Sequence, residues 1–267
     1  MELVTSLAEF SVVLFGVALL AAQLLVHEAG FHLGLRRRQA GDRGEAVGLV
    51  VGGILALLAF VLALTLSFAD TRYAERRQGT LVEANAIGTA WLRAKAIGTP
   101  RGEEIARLLV DYTKLRKSFI VTDAEHAADI EELNNRTNAL QSTIWGHLSA
   151  IVREQANPVT SSLMAALNDT FDASTSERFA FQQRLPPQIL WLLLGMTLLS
   201  MSCIGYQLGL KGKPARILVG LLALVWTVVI VDILDLSASR LGTFRTTTGV
   251  YDWTLRGFEG GVTVPPL

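Results

Sequence analysis

Four apolar runs, Leu7–Val26, Ala46–Phe68, Gln188–Leu210 and Ile217–Leu234, limit what this chain can become. A helix needs roughly 20 apolar residues to cross about 30 Å of hydrocarbon, and there every backbone N–H and C=O must be satisfied within the segment. The runs therefore predict four transmembrane helices. The first is not a signal peptide by pattern: no basic region precedes it, it is too long, and it ends in His27 and Glu28 without a small-residue cleavage site. Charges are confined to blocks between the runs, so the balanced total describes no evenly mixed surface and no nucleic-acid footprint. Cys203, the only cysteine, excludes an intrachain disulfide and any site built from paired thiolates.

Charge placement predicts the sidedness. Arg36, Arg37, Arg38 and Arg43 follow the first run, and Lys211, Lys213 and Arg216 lie between the third and fourth, which puts both short loops in the cytoplasm of a multi-pass plasma-membrane protein. Arg72, Arg76, Arg77, Arg178, Arg184, Arg240 and Arg245 weigh on the other side. The rule is strongest for short loops, so the segment between the second and third runs is expected to be extracytoplasmic.

That segment reads as successive amphipathic helices. The first spans about Tyr73 to Ile97; Gly98 suits the position after its end, and Thr99-Pro100 suits an N-cap and first helical position for the next. Ile105, Leu108, Tyr112, Leu115 and Phe119 form a seam at steps of three and four. Thr122 with Glu125 makes a capping box for a third helix, whose seam is Ile130, Leu133, Thr137, Leu140, Ile144, Leu148 and Ile151. Asn157-Pro158 opens a fourth through Leu163, Leu167 and Phe171, and Ser174 with Glu177 suggests one more start before Pro186-Pro187. The expected fold is an all-α membrane protein: transmembrane helices one and two in 1–69, a helical bundle in 70–185, helices three and four in 186–236, and an irregular tail in 237–267. In that tail Tyr251 and Trp253 suit a membrane interface.

Several residues are candidates for a site. In Leu81–Arg93, Asn85, Gly88, Thr89 and Leu92 share one helical face, with Glu83 nearby; such a small, polar stripe suits close contact with another helix. Asp232 lies inside the fourth run with Asp235 on the same face, which suits either a carboxylate ring at a pore mouth or a pair reaching the headgroups or Arg240. His27, Glu28 and His32 invite a zinc reading, but the histidines are five apart and two groups on one face do not fill a tetrahedral site. They read better as a polar cluster at the membrane end of the first span. Gly48, Gly52, Gly53, Gly195, Gly205 and Gly209 permit close helix packing. No nucleophile with a convergent base and no phosphate-cradling loop is present, so neither enzyme activity nor a cofactor is expected.

The run Glu83-Ala84-Asn85-Ala86-Ile87-Gly88-Thr89-Ala90 resembles that of a family of bacterial membrane proteins labelled bestrophin-like, built on a domain of unknown function. Gly53 to Phe68, Arg76-Arg77, Tyr112, Arg116, Asn168, Phe171-Asp172, Asp235-Leu236, Arg240 and Gly242 extend the resemblance over most of the chain. Where that family often reads Asp-Leu-Asp-Arg-Pro, this chain has Asp235-Leu236-Ser237-Ala238-Ser239, without the second carboxylate. The label implies kinship with bestrophins, pentameric anion channels whose large helical parts are cytoplasmic, which runs against the sidedness read from charge. No bestrophin selectivity filter can be matched residue by residue. Two functions stay open: a homo-oligomeric ion channel or conductance regulator with the second span along the conduction path, or a membrane sensor or scaffold whose bundle binds a ligand or partner. The expected partners are the lipid bilayer, other copies of the chain and ions.

Overall fold

The computed structural model describes residues 12–40, 47–122, 127–183, 185–240, 242–263 and 265. Its regular elements are all helices: α1 Val12–Gln39, α2 Val47–Ala96, α3 Pro100–Val121, α4 Ala127–Glu154, α5 Pro158–Gln182, α6 Pro187–Lys211, α7 Arg216–Ser237 and α8 Gly249–Glu259. The chain divides into two compact units, Met1–Arg72 with Arg184–Ala238, and Tyr73–Gln183 with Ser239–Leu267. The division falls inside α2, a single helix of 50 residues.

The first unit holds the four apolar segments long enough to cross a membrane. Within it, α1 and α6 meet through glycines, because no side chain could fit between them. A Cβ on Gly30 would overlap the Ser202 carbonyl oxygen, and one on Gly34 the Tyr206 oxygen; reciprocally, Gly205 abuts the His27 oxygen and Gly209 the Phe31 oxygen. Both registers advance together, so α1 and α6 run parallel. In contrast, Gly52, Gly53 and Gly195 have nothing within 4 Å of a built Cβ, and their expected packing role is not found within this chain. α1 also continues through His27, Glu28 and His32 to Gln39, so the helix extends beyond the apolar run that these residues close. On α2 the buried line is Val51, Leu58, Leu62, Thr65 and Ala69, a seam of threes, fours and a seven.

The second unit is a helical bundle whose boundaries follow local chemistry. Thr99 caps α3, accepting from the Gly102 N–H at 3.3 Å, and Pro100 occupies the first turn. Asn157 caps α5 and exchanges hydrogen bonds with Thr160. Ile105, Leu109, Tyr112 and Phe119 of α3 pack with Ile144, Leu148 and Ile151 of α4 and Leu163 and Leu167 of α5. Glu125 lies outside the described residues; Thr122 closes α3 through its N–H to the Ser118 carbonyl. Two expectations need correction. No helix starts at Ser174: α5 is unbroken, and Ser174 and Glu177 are both buried on its inner face. The tail is not irregular throughout, for α8 belongs to the bundle. Phe258 stacks on Trp91 at 4.8 Å and Tyr251 is fully buried, so of the two aromatics suited to an interface, Tyr251 and Trp253, only the second is exposed. An 11-residue helix among Gly and Thr is too short to announce itself and is held by the surface it covers.

Candidate functional site

The bundle buries charge, and at such a site charge has to be matched. Glu83 of α2 takes a bidentate hold from Arg116 of α3, Nε to Oε1 at 2.5 Å and Nη2 to Oε2 at 3.1 Å, with both side chains fully buried. Tyr251 of α8 donates its hydroxyl to Glu83 Oε2 at 2.6 Å. Here Coulomb attraction offsets desolvation only because the guanidinium fork matches the carboxylate and the phenol satisfies a further lone pair. Arg116 also lies 4.5 Å from the Phe119 ring centroid. Burial alone would favour the neutral form of Arg116, but Glu83 more than offsets this and holds its pKa above the usual value. Burial pushes the Tyr112 phenol up to about 12, with the Glu83 charge adding to it. Tyr251 is raised well above its ordinary range by the same two causes, burial first.

Glu177 of α5 is a second buried carboxyl, and its environment favours a proton. Burial, with a smaller push from Glu83, raises it to about 7 against the Thr80 hydrogen bond and the positive charges of Arg116 and Arg76. Thr80 Oγ1 lies 2.5 Å from Glu177 Oε1 and 2.8 Å from the Arg76 carbonyl oxygen, yet one hydroxyl proton serves one acceptor at a time. A protonated Glu177 resolves this: it donates to Thr80, which donates onward to Arg76. The other oxygen, Oε2, presses on Gly79, where a Cβ would overlap it. Gly79 is therefore the residue that admits the carboxyl.

Arg240 joins this unit by a different route. Its guanidinium donates to the Phe119 and Thr122 carbonyls at 2.6 and 2.7 Å, filling orphan acceptors at the end of α3, and packs on the Phe119 and Phe181 rings.

Of the residues singled out in the sequence, Glu83 is in the buried cluster while its neighbours are not. Asn85, Thr89 and Leu92 are exposed, and Gly88 is half-buried with only the Thr254 methyl near, 3.9 Å from a built Cβ. The face that packs inside the bundle is the adjacent one, through Ala84, Ile87, Ala90 and Ala94. In the membrane unit Asp232 is half-buried and Asp235 buried. Glu28 pairs with Arg216 at 2.8 Å, with His32 4.0 Å away, while His27 is buried apart from them. Among the described residues no group of three or more His, Cys, Asp or Glu could hold a metal. Gln23, which the sequence did not mark, donates to Thr227 at 2.9 Å between α1 and α7. Arg116, Glu177 and Tyr251 were likewise not assigned to a site. Only the occurrence of Glu83, Tyr112 and Arg116 together among the family-like residues hinted at a cluster.

A family model described as a bestrophin-like domain matches residues 16–249. No curated protein and no solved structure matches the chain.

Proposed function

The chain belongs to the bestrophin-like domain family, and from that membership we propose that it is a homo-oligomeric ion channel or conductance regulator in which α2 of each copy faces a shared axis. The observation that carries this reading is the uncovered face of α2 in the bundle unit, where Leu81, Val82, Asn85, Thr89 and Leu92 are exposed at helical spacing. An apolar stripe with one asparagine is the pattern by which helices select a partner and a register. Leu57, Phe60 and Leu64 are exposed on the membrane part of the same helix. Asp232 is the carboxylate we assign to the path; Asp235 is buried within the protomer. By likeness to bestrophins the assembly is pentameric.

Cross-linking tests the axis. In a Cys203→Ser background, Asn85→Cys is expected to form disulfide-linked dimers between copies in the membrane, and purified protein to pass ions when reconstituted in liposomes. Protein that stays monomeric in mild detergent and in nanodiscs, and passes no ions, overturns the proposal. Gly88→Leu is expected to change oligomer size more than protomer stability, since within the chain a built Cβ there meets only the Thr254 methyl, at 3.9 Å. A sensor reading draws support from the fully buried Glu177 carboxyl, 2.5 Å from Thr80 Oγ1 inside the bundle, which burial pushes up to about 7. In that case proton binding, rather than ion flux, is the activity to measure.

A further inference from the structure

A cleft of about 360 Å³ opens in the membrane unit between α1, the first turns of α2 and α6. Its walls include Leu33 of α1, Val50 and Val51 of α2, and Cys203 and Tyr206 of α6. The surface is almost wholly apolar, yet both long walls run into cations. On α1 the line Gly30, Leu33 continues by the next helical step to Arg37. On α6 the line Cys203, Tyr206 leads to the C-terminal turn, where Gly212 at φ 65 bends the chain and the Lys213 N–H returns to the Leu208 carbonyl at 3.3 Å. Arg38 lies against that same turn, because a Cβ on Gly212 would overlap its Nη1. The basic ends of the two helices are thus held together.

Arg36, Arg37, Arg38, Lys211 and Lys213 are exposed, and among the described residues no carboxylate pairs with them. Glu28, the carboxylate farther back on α1, is engaged by Arg216. Excess positive charge at the rim of a hydrocarbon-lined cleft is complementary to one kind of molecule, an acyl chain carrying a negative headgroup. The seven helical steps from Gly30 to Arg37 span about 10 Å, so a phosphate at the cations leaves the upper part of an acyl chain beside the apolar walls.

We propose that this cleft binds an anionic phospholipid, with one acyl chain against Leu33, Val50 and Cys203 and the phosphate held by Arg37 and Lys213. The single cysteine is a built-in reporter, since an occupying chain covers its thiol. Full-length protein stripped of lipid in detergent is titrated with phosphatidylglycerol or with phosphatidylcholine of the same acyl chains, and the rate of Cys203 alkylation by a maleimide is followed. Phosphatidylglycerol is expected to protect at lower concentration than phosphatidylcholine, each basic residue contributing about fivefold to the preference. The Arg37→Gln, Lys213→Gln double variant is expected to lower that preference by about 25-fold while keeping the protection common to both lipids. Arg38 is left in place because it packs on the Gly212 turn. Equal protection by both lipids, or a preference unchanged in the double variant, overturns the proposal. Should Cys203 resist alkylation even without lipid, native mass spectrometry decides: phosphatidylglycerol retained by the wild type and lost in Val50→Trp, which fills the cleft, supports the site. Equal retention by the two proteins overturns it.

Discussion

At the scale of single residues the bundle concentrates its sensitivity in Glu83, Arg116 and Glu177. Glu83→Ala strands the Arg116 guanidinium in a fully buried place and is expected to cost about 3–5 kcal/mol, read as a lowered melting temperature. Tyr251→Phe removes one hydrogen bond to that carboxylate and is expected to cost less, about 1.5–3 kcal/mol. Glu177 has the opposite sense. Its pKa rises from 4.5 to about 7 on folding, so between those values the folded state holds a proton that the unfolded state has released. Stability is then fully present below the lower value and is lost as pH rises through the upper one, by on the order of 3 kcal/mol. Thermal melts from acid to mildly alkaline pH are expected to show this decline in the wild type. Glu177→Gln, which cannot ionise, should flatten it and melt higher at alkaline pH; an unchanged profile would refute the assignment.

At the scale of elements, the two sets of glycines make opposite predictions. Gly34→Val and Gly205→Val each drive a side chain into the facing backbone, which neither helix can yield without separating, and folded yield in detergent is expected to collapse. Gly52→Ala and Gly53→Ala meet nothing and should be tolerated or slightly stabilising, by about 0.5–1 kcal/mol each. The same contrast shows what was legible beforehand. Helix starts at Thr99-Pro100 and Asn157-Pro158 are local chemistry, and the seams of α3, α4 and α5 repeat within their own helices, so both could be read from the chain. The apposition of Gly30 and Gly34 with Gly205 and Gly209, or of Glu83 with Arg116, depends on residues distant in sequence that periodicity cannot pair. The stripe at Asn85 meets the same limit: polarity marks a face as unusual without naming its partner, and the face packed within the chain, through Ala84, Ile87, Ala90 and Ala94, is the small apolar one beside it. Ser174 and Glu177 carried a helix-start signature and became core residues because nothing local interrupts α5.

At the scale of the whole molecule, the bundle joins a long stretch from the middle of the chain, Tyr73–Gln183, to the distant segment Ser239–Leu267. Deleting the residues after Arg245 removes α8, uncovering Trp91 and leaving Glu83 without the Tyr251 hydroxyl. Faster proteolysis within α2 and a lower melting temperature are expected. Sidedness is a separate question, answered by labelling an introduced Glu131→Cys in a Cys203→Ser background: reaction in intact cells supports the extracytoplasmic bundle, and reaction only after lysis places it inside. The distance along the chain between Glu83 and Tyr251, 168 residues, also sets a timetable. At about 5–20 residues per second of synthesis, some 10–30 s pass between the emergence of the carboxylate and that of its phenol. Through that interval the nascent bundle lacks α8 and exposes an apolar flank at Trp91, so a ribosome-associated chaperone or insertase has its longest opportunity to act there, and the emergence of Tyr251 and Phe258 closes it.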